Sequence, residues 1–510
     1  MKKTFLLLLA LCIATLMNAE NFVMIKVKNQ QNLQELFNRQ DINIHYYNDS
    51  FVLASAEEMS NDMILLDENS FASNENYFIV YCNESEQSNY VIREKNNSIV
   101  LYSDANILIV KPLNTELRPA KNDGMVAISN KTAKLPVATR DFPTVTDEDA
   151  VIREFMNQVS IENLTATVEY MQAYESRYYN SDNAYDAANW IQEQFDNMEV
   201  LETEQFPFTY QGNNPCAPNI IATQWGTKYP DEYVVCGSHL DSYSYSGMCP
   251  GADDNATGVA TVIETARILS QHNFERTIIY CAFGAEEVGL VGSDAYAVFC
   301  ADMEMNIVAY FNNDMNGYLN PGDDIHIDLI YPDAAETLGD YYMNVANVYF
   351  PEMQVRHVNF QGGDSDHTSF NQNGFMGIYP FEDYQNYSPY IHGANDLIGP
   401  SVNSFEMSQR YTQMNLACIA TLAGLDSEYV EENVMNSVEL FPNPAKEQLT
   451  LTNAYEGISE VQIINSVGQI VKEFSFESTT TINISDLTSG VYFVKVLGDN
   501  NVTKKLVVNN

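Results

Sequence analysis

Residues 234–258 constrain this chain more than any other stretch. They open with an apolar run, Val234-Val235-Cys236, that reads as a buried strand, and they deliver a His-x-Asp pair, His239 and Asp241, where that strand ends. Pro250-Gly251-Ala252-Asp253-Asp254-Asn255 follows, and then the start of a helix. Polar groups gathered at the carboxyl end of a strand in an α/β sheet mark a ligand site. His and Asp side chains presented together suit a borderline metal such as zinc.

The surrounding sequence supplies the frame. Strand-like apolar runs are expected over 219–223, 232–237, 277–283, 307–311, 326–331 and 377–379. Helical periodicity fills 147–158, 161–173, 184–198, 256–270, 288–301, 332–348 and 403–423. Such alternation predicts an α/β domain with a mixed, mostly parallel sheet flanked by helices, over residues 145–427. The ends of the strands carry further polar fragments: Glu286-Glu287, Asn312-Asn313-Asp314, Ser365-Asp366-His367, and the run from Tyr390 through His392 to Asp396. Any one of them is commonplace on a surface. Together, at successive strand ends of one domain, they define a site.

Charge and cysteine usage narrow the class. With 25 Lys and Arg against 69 Asp and Glu, the chain offers no basic face for nucleic acid or an anionic membrane. Residues 1–19 read as a secretory signal, with Lys2 and Lys3 ahead of the apolar run 5–16 and a small residue, Ala19, at the end. Cys12 follows Leu11 rather than a small residue, which argues against lipid anchoring. No other run has the apolar length of a membrane span. The remaining cysteines are too sparse for a disulfide scaffold and lack C-x-x-C pairs. Cys236 and Cys281 read as buried thiols, and one surface disulfide would suit an exported protein.

Flanking units complete the layout. Short strands over 21–27, 77–81 and 107–110 make residues 20–113 a small β-rich prodomain. Residues 114–144 are polar, dotted with proline and enriched in Lys and Arg, as in an exposed linker open to nicking. If the prodomain covers the site, nicking there should raise activity. Residues 432–510 alternate strands with turns at 465–468 and 488–490, which predicts a small antiparallel β-sandwich.

Residues 177–396 resemble the co-catalytic dizinc aminopeptidases of the bacterial leucyl aminopeptidase and aminopeptidase S type. The matching pieces are Arg177-Tyr178-Tyr179-Asn180-Ser181, Pro218-Asn219-Ile220-Ile221-Ala222, Gly237-Ser238-His239-Leu240-Asp241-Ser242, Pro250 to Gly258, Phe283 to Ser293, Asp314, Ser365-Asp366-His367 and His392. The resemblance implies the zinc exopeptidase fold and two zinc ions. His239 and Asp314 would bind one ion, Glu287 and His392 the other, and Asp253 would bridge them. Glu286 would be the general base, Asp241 would hold His239, and Asp366 and His367 would be supports. It also implies a cis peptide between Asp253 and Asp254. Two zinc ions roughly 3.5–4 Å apart can supply a hydroxide nucleophile near neutral pH. A carboxylate beside a ligand can take the water proton and pass it to the leaving amine. An Asp on the far ring nitrogen fixes a ligating His in one tautomer. Where some relatives carry a tyrosine for the oxyanion, this chain has Gln361-Gly362-Gly363-Asp364, so a zinc ion or another donor must serve.

The C-terminal unit resembles the sorting domain of type IX secretion substrates, through Phe441-Pro442-Asn443-Pro444-Ala445, Leu487 to Val494 and Lys504 to Val508. That implies recognition by the outer-membrane secretion machinery and a secreted or cell-surface product. The expected function is an exported zinc aminopeptidase acting on peptide and protein N-termini. The alternatives are a glutaminyl cyclase-like zinc enzyme on the same fold and a non-catalytic surface binding protein. A carboxypeptidase would need a carboxylate-binding arginine, for which Arg356 is the candidate near the late loops. Met248, Ile378, Tyr379 and Phe381 could line an apolar pocket.

Overall fold

An eight-stranded sheet is built from strands between residues 202 and 381. Its order is Gln354–Val358, His326–Ile330, Gly377–Phe381, Asn306–Asn312, Tyr229–His239, Arg276–Phe283, Asn219–Gln224 and Glu202–Phe206. The central strands, Asn306–Asn312, Tyr229–His239 and Arg276–Phe283, pair in parallel, and antiparallel pairs lie on either side of them. The sheet is therefore mixed, as expected. In this computed structural model the described residues are 20–509, except 71–76, 83–86, 88–96, 114–116, 118–123, 139–140, 212–213, 245–246, 361–363, 427–437, 454–458, 466–469 and 498–501. The signal segment 1–19 and the departure at 361–363 lie outside them. The chain divides into two units, Met1–Gly424 and Leu425–Asn510.

The sheet is covered on both faces because its strands are apolar on both sides. Val235, Ile279 and Cys281 pack under Tyr296, Ala297 and Cys300 of the helix Val291–Asp302. On the opposite face Tyr280 stacks on Phe195 of the helix Asp182–Asp196, at 6.4 Å between rings. Helices begin where the sequence offers a side-chain acceptor for their first free N–H groups. Asp149, Ser160, Ser181 and Ser404 each cap one in this way. The two edge strands Gln354–Val358 and Glu202–Phe206 and the short helix His367–Gln372 have no counterpart in the sequence reading. Both strands are largely exposed, so their apolar alternation is weak. All seven cysteines beyond residue 19 are buried, which leaves none placed for a surface disulfide.

Residues N-terminal to this domain form two four-stranded antiparallel sheets. One holds Glu20–Lys26, Ile42–Tyr47, Phe51–Ala56 and Met63–Ser70; the other holds Tyr77–Tyr81, Ser98–Asp104, Ile107–Pro112 and Gly124–Ile128. The last strand corrects the expected boundary at 113. Gly124–Ile128 falls inside the stretch read as linker, yet it pairs with Tyr77–Tyr81 in the register Phe78↔Ala127. A four-residue apolar run suffices to join a sheet when a partner edge is present. The chain beyond it is also tied down, with Ala133 N–H donating to the Ile44 carbonyl (2.7 Å) and Lys134 N–H to the Gln372 carbonyl (2.8 Å).

The second unit is a sandwich of a three-stranded sheet and a four-stranded sheet, all antiparallel, around Leu449, Leu451, Val461, Ile463, Val494 and Leu506.

One buried cation organises the loops at the carboxyl ends of the central strands. Arg177 is completely buried. Its Nε donates to the Leu240 carbonyl (2.8 Å), Nη1 to those of Met171 (3.0 Å) and Pro250 (2.5 Å), and Nη2 to that of Gly251 (3.0 Å). The planar fork thus holds a helix end, the turn after His239 and the turn before Asp253 in one arrangement. Gly258 makes the next junction: a Cβ there would lie 2.2 Å from the Asn313 carbonyl oxygen, so only glycine lets this helix start against that loop.

Two outcomes follow from these contacts. Arg177→Ala leaves four buried carbonyls without donors at ~1–3 kcal/mol each, so its urea midpoint should fall sharply, with Arg177→Lys recovering only part because it lacks the fork. Gly258→Ala should lower stability and activity together, measured by urea unfolding and turnover.

Candidate metal centre

The site is assembled from strand ends. His239 is the last residue of the strand Tyr229–His239, and Asp314 follows the strand Asn306–Asn312 by two residues. Glu286 and Glu287 lie in the turn after Arg276–Phe283, and His392 comes from the loop beyond Gly377–Phe381. All are buried or nearly so.

The carboxylate between the two histidines belongs to Asp254. Its Oδ1 lies 3.2 Å from His239 Nε2 and its Oδ2 lies 3.2 Å from His392 Nε2. Asp314 Oδ1 stands 3.3 Å from the same nitrogen of His239, and Glu287 Oε2 stands 2.9 Å from that of His392. This corrects the expectation for Asp253. The Asp253 carboxylate instead accepts from Gly317 N–H (2.9 Å) and lies beside Glu382. The reason is a backbone clamp: Asp396 accepts the N–H of Asp253 with one oxygen (2.9 Å) and that of Asp254 with the other (3.1 Å). The turn so fixed sends the two side chains opposite ways. The cis peptide is likewise one residue later than expected, between Asp254 and Asn255.

Each acidic group is itself held. Asp241 accepts from the N–H of Glu286 (3.1 Å) and of Glu287 (3.4 Å), so its carboxylate fixes the turn that carries both. Towards His239 Nδ1 it presents chiefly its backbone carbonyl, at 3.2 Å, with the carboxylate at 3.6 Å. The expected Asp241–His239 contact is therefore made mainly by the main chain. Glu287 Oε1 accepts from Tyr243 N–H (3.1 Å), and Asp314 Oδ2 accepts from the Ser365 hydroxyl (2.6 Å). Asp366 and His367 are buried behind this layer and face neither histidine's Nε2. Sequence reasoning gave no role to Arg177, Ser365 or Asp396, although each stands inside a fragment it singled out.

Packing so many acids together sets their protonation. Burial pushes Glu286 well above the usual carboxyl range, with Glu287, Asp366 and Asp314 reinforcing it against His239. Burial and Asp254 raise Glu287 to about 7. Burial alone would lower His239, but Asp314 and Glu286 outweigh it and hold the imidazole well above its ordinary value. Two groups of ligand-type atoms, His239 with Asp254 and Glu287, and His239 with Glu286 and Asp314, each lie within 4.8 Å. No Lys or Arg is among the described residues that line the cavity above them. Imidazole nitrogens and carboxylate oxygens with an uncompensated negative charge fit divalent zinc.

The cavity also shows which of the expected pocket residues take part. Tyr379 and Phe381 line it, together with Phe360, Tyr387 and Ile391, whereas Ile378 is buried elsewhere and Met248 is about half exposed. Arg356 is not there either: it is bound to Asp328, with Nε 2.6 Å from Oδ1 and Nη2 3.3 Å from Oδ2.

Comparison with known proteins bears on the family and the fold. The profile of peptidase family M28 matches residues 219–411, and that of the secretion system C-terminal sorting domain matches residues 439–509. A probable aminopeptidase of Saccharomyces cerevisiae is 25% identical over 296 residues, covering 54% of this chain and 78% of the yeast protein. A probable leucine aminopeptidase of Arthroderma otae is 26% identical over 280 residues, 51% of this chain and 73% of its own. The fold is similar to that of LapB from Legionella pneumophila, with a TM-score of 0.55, 19% identity, and 68% of this chain and 100% of that one covered. The Legionella pneumophila LapA aminopeptidase gives 0.54 at 19% identity, covering 69% and 99%. The chain thus carries a peptidase family M28 domain on a zinc exopeptidase fold, followed by a secretion system C-terminal sorting domain.

Proposed function

We propose that this M28 enzyme is an exported zinc aminopeptidase that removes N-terminal residues from peptides. The observation that carries this reading is Asp254 spanning His239 and His392 at 3.2 Å each, with Asp314 and Glu287 completing the two sides. His239, Asp254 and Asp314 would hold one zinc ion, and His392, Asp254 and Glu287 a second. When bound, such a pair polarises an amide carbonyl and lowers the pKa of water.

The remaining chemistry falls to the chain's own residues. Glu286 lines the cavity without being needed as a ligand, where a carboxylate can accept the proton of the attacking water and deliver it to the leaving amine. Asp241, through the two N–H groups it accepts, keeps that carboxylate in place. The acidic cavity favours a substrate bearing an α-ammonium group and disfavours one bearing an α-carboxylate. With Arg356 engaged by Asp328, no described arginine is available to bind a C-terminal carboxylate there, which counts against a carboxypeptidase. Phe381, Tyr387 and Ile391 offer an apolar bed for the side chain to be released. The sorting domain supports passage across the outer membrane to a secreted or cell-surface location.

The reading is tested by metal analysis alongside activity on amino-acid anilides and glutaminyl peptides. Two zinc ions per chain and release of N-terminal residues are expected; one tightly held zinc with cyclisation of N-terminal glutamine would favour a glutaminyl cyclase instead. Glu286→Gln should lose ~10²–10⁴-fold in turnover at unchanged zinc content. Asp254→Asn should lose zinc, whereas Asp253→Asn should retain it; the reverse order would show that the bridging position has been misassigned.

A further inference from the structure

The N-terminal sheets meet the peptidase domain at its catalytic turn. Ala127 N–H, on the strand Gly124–Ile128, donates to the Gly289 carbonyl at 3.2 Å. Gly289 has φ +118°, and a Cβ there would sit 2.9 Å from Ala127 N, so the two backbones touch with nothing between them. Ala285 and Val288, which flank Glu286 and Glu287, are fully buried in one cluster with Phe78, Val80, Leu108 and Met125. Leu290 is buried in another, with Phe22, Tyr77 and Ile79. The turn that carries the general base therefore packs into the core of the N-terminal domain.

The contact reaches the substrate cavity itself. Gly124 and Met125 form part of its lining, as do Phe381, Tyr387 and Ile391. Met125 is 5% exposed and packs backwards into the N-terminal core, and the cavity stays open with Glu286 and His392 on its surface. That is the arrangement of a wall, not of a plug. Elsewhere the seam is closed by reciprocal bonds: Tyr47 N–H donates to Gln372 Oε1 (3.1 Å) and Gln372 Nε2 donates to the Tyr47 carbonyl (2.8 Å). The Tyr47 hydroxyl donates to the Asn371 carbonyl (2.9 Å).

From these contacts we infer that the N-terminal domain is a permanent part of the active site: Met125 limits the size of the side chain that the enzyme accepts, and the strand Gly124–Ile128 positions the Glu286–Glu287 turn. This replaces the expected removable prodomain, and it rests on the aminopeptidase reading for its substrate class, a peptide with a free N-terminus and an apolar first side chain. Met125 is a specificity residue, not a catalytic one.

Two experiments on the full chain test it. In the first, kcat/KM is compared for leucyl, phenylalanyl and tryptophanyl anilides. Removing one methylene's worth of contact in an apolar pocket alters discrimination by ~10–200-fold, so Met125→Ala should shift the ratio towards the bulky residues by about 10-fold or more, and Met125→Leu should restore it. A ratio within twofold of the parent's in Met125→Ala overturns the wall. In the second, a protease site is placed over residues 138–141 and cut. The fragments should co-migrate at the activity of the uncut enzyme; release of the N-terminal fragment, or a tenfold gain in activity, overturns a permanent role. Co-migrating fragments with no activity on any anilide before or after cutting would instead sink the aminopeptidase reading, since the fragments themselves have already reported on the seam.

Discussion

Everything at this site depends on holding like charges together out of water. Asp254, Glu286, Glu287 and Asp314 converge on two imidazoles in a cavity with no Lys or Arg among its described lining residues. Carboxylates so placed repel one another and lose hydration, and they stay put only if fixed donors hold them. The fold supplies those donors as backbone N–H groups at strand ends and as single hydroxyls: Tyr243 N–H for Glu287, Ser365 for Asp314. Asp241 and Asp396 act one step removed, each gripping two consecutive N–H groups of a turn, one carrying Glu286 and Glu287 and the other Asp254. The parallel central strands make this possible because several of them end at one edge of the sheet.

Behind this layer lies a second set of acids that does not face the histidines. Glu382 is fully buried, accepts from Tyr318 N–H (2.9 Å) and Ser388 N–H (2.8 Å), and is raised by burial to about 8. Asp253 beside it is also pushed up, by burial and then by Glu382 and Asp396. Burial thus disfavours charge on both members of this pair. Asp253 therefore serves the shape of the turn, and its neighbour serves the histidines.

Much of this was legible in the residues. The six central strand runs fall where apolar periodicity puts them, and His239, Glu286, Glu287, Asp314 and His392 come together as their places at strand ends implied. The slip from Asp254 to Asp253 has a physical cause: two identical neighbours differ only in which way a turn points them, and the turn is set by Asp396, some 140 residues on. The strand Gly124–Ile128 was hidden in a polar, proline-dotted surrounding, because its stability comes from Tyr77–Tyr81 and not from its own pattern. Arg177 had little local signal of its role, since three of the four carbonyls it binds, those of Leu240, Pro250 and Gly251, become neighbours only in the folded chain.

The meeting of Ala127 with Gly289 has a consequence for solubility as well. Gly124–Ile128 is the outermost strand of its sheet, and Met-Val-Ala-Ile in an open edge would be a template for pairing with another chain. A lone catalytic-domain turn supplies the missing partner through one carbonyl and covers the apolar side chains with Ala285, Val288 and Leu290. The same few residues that flank Glu286 and Glu287 thus cap a sticky edge, so a substitution in that turn that loosened the seam would expose the protein to self-association.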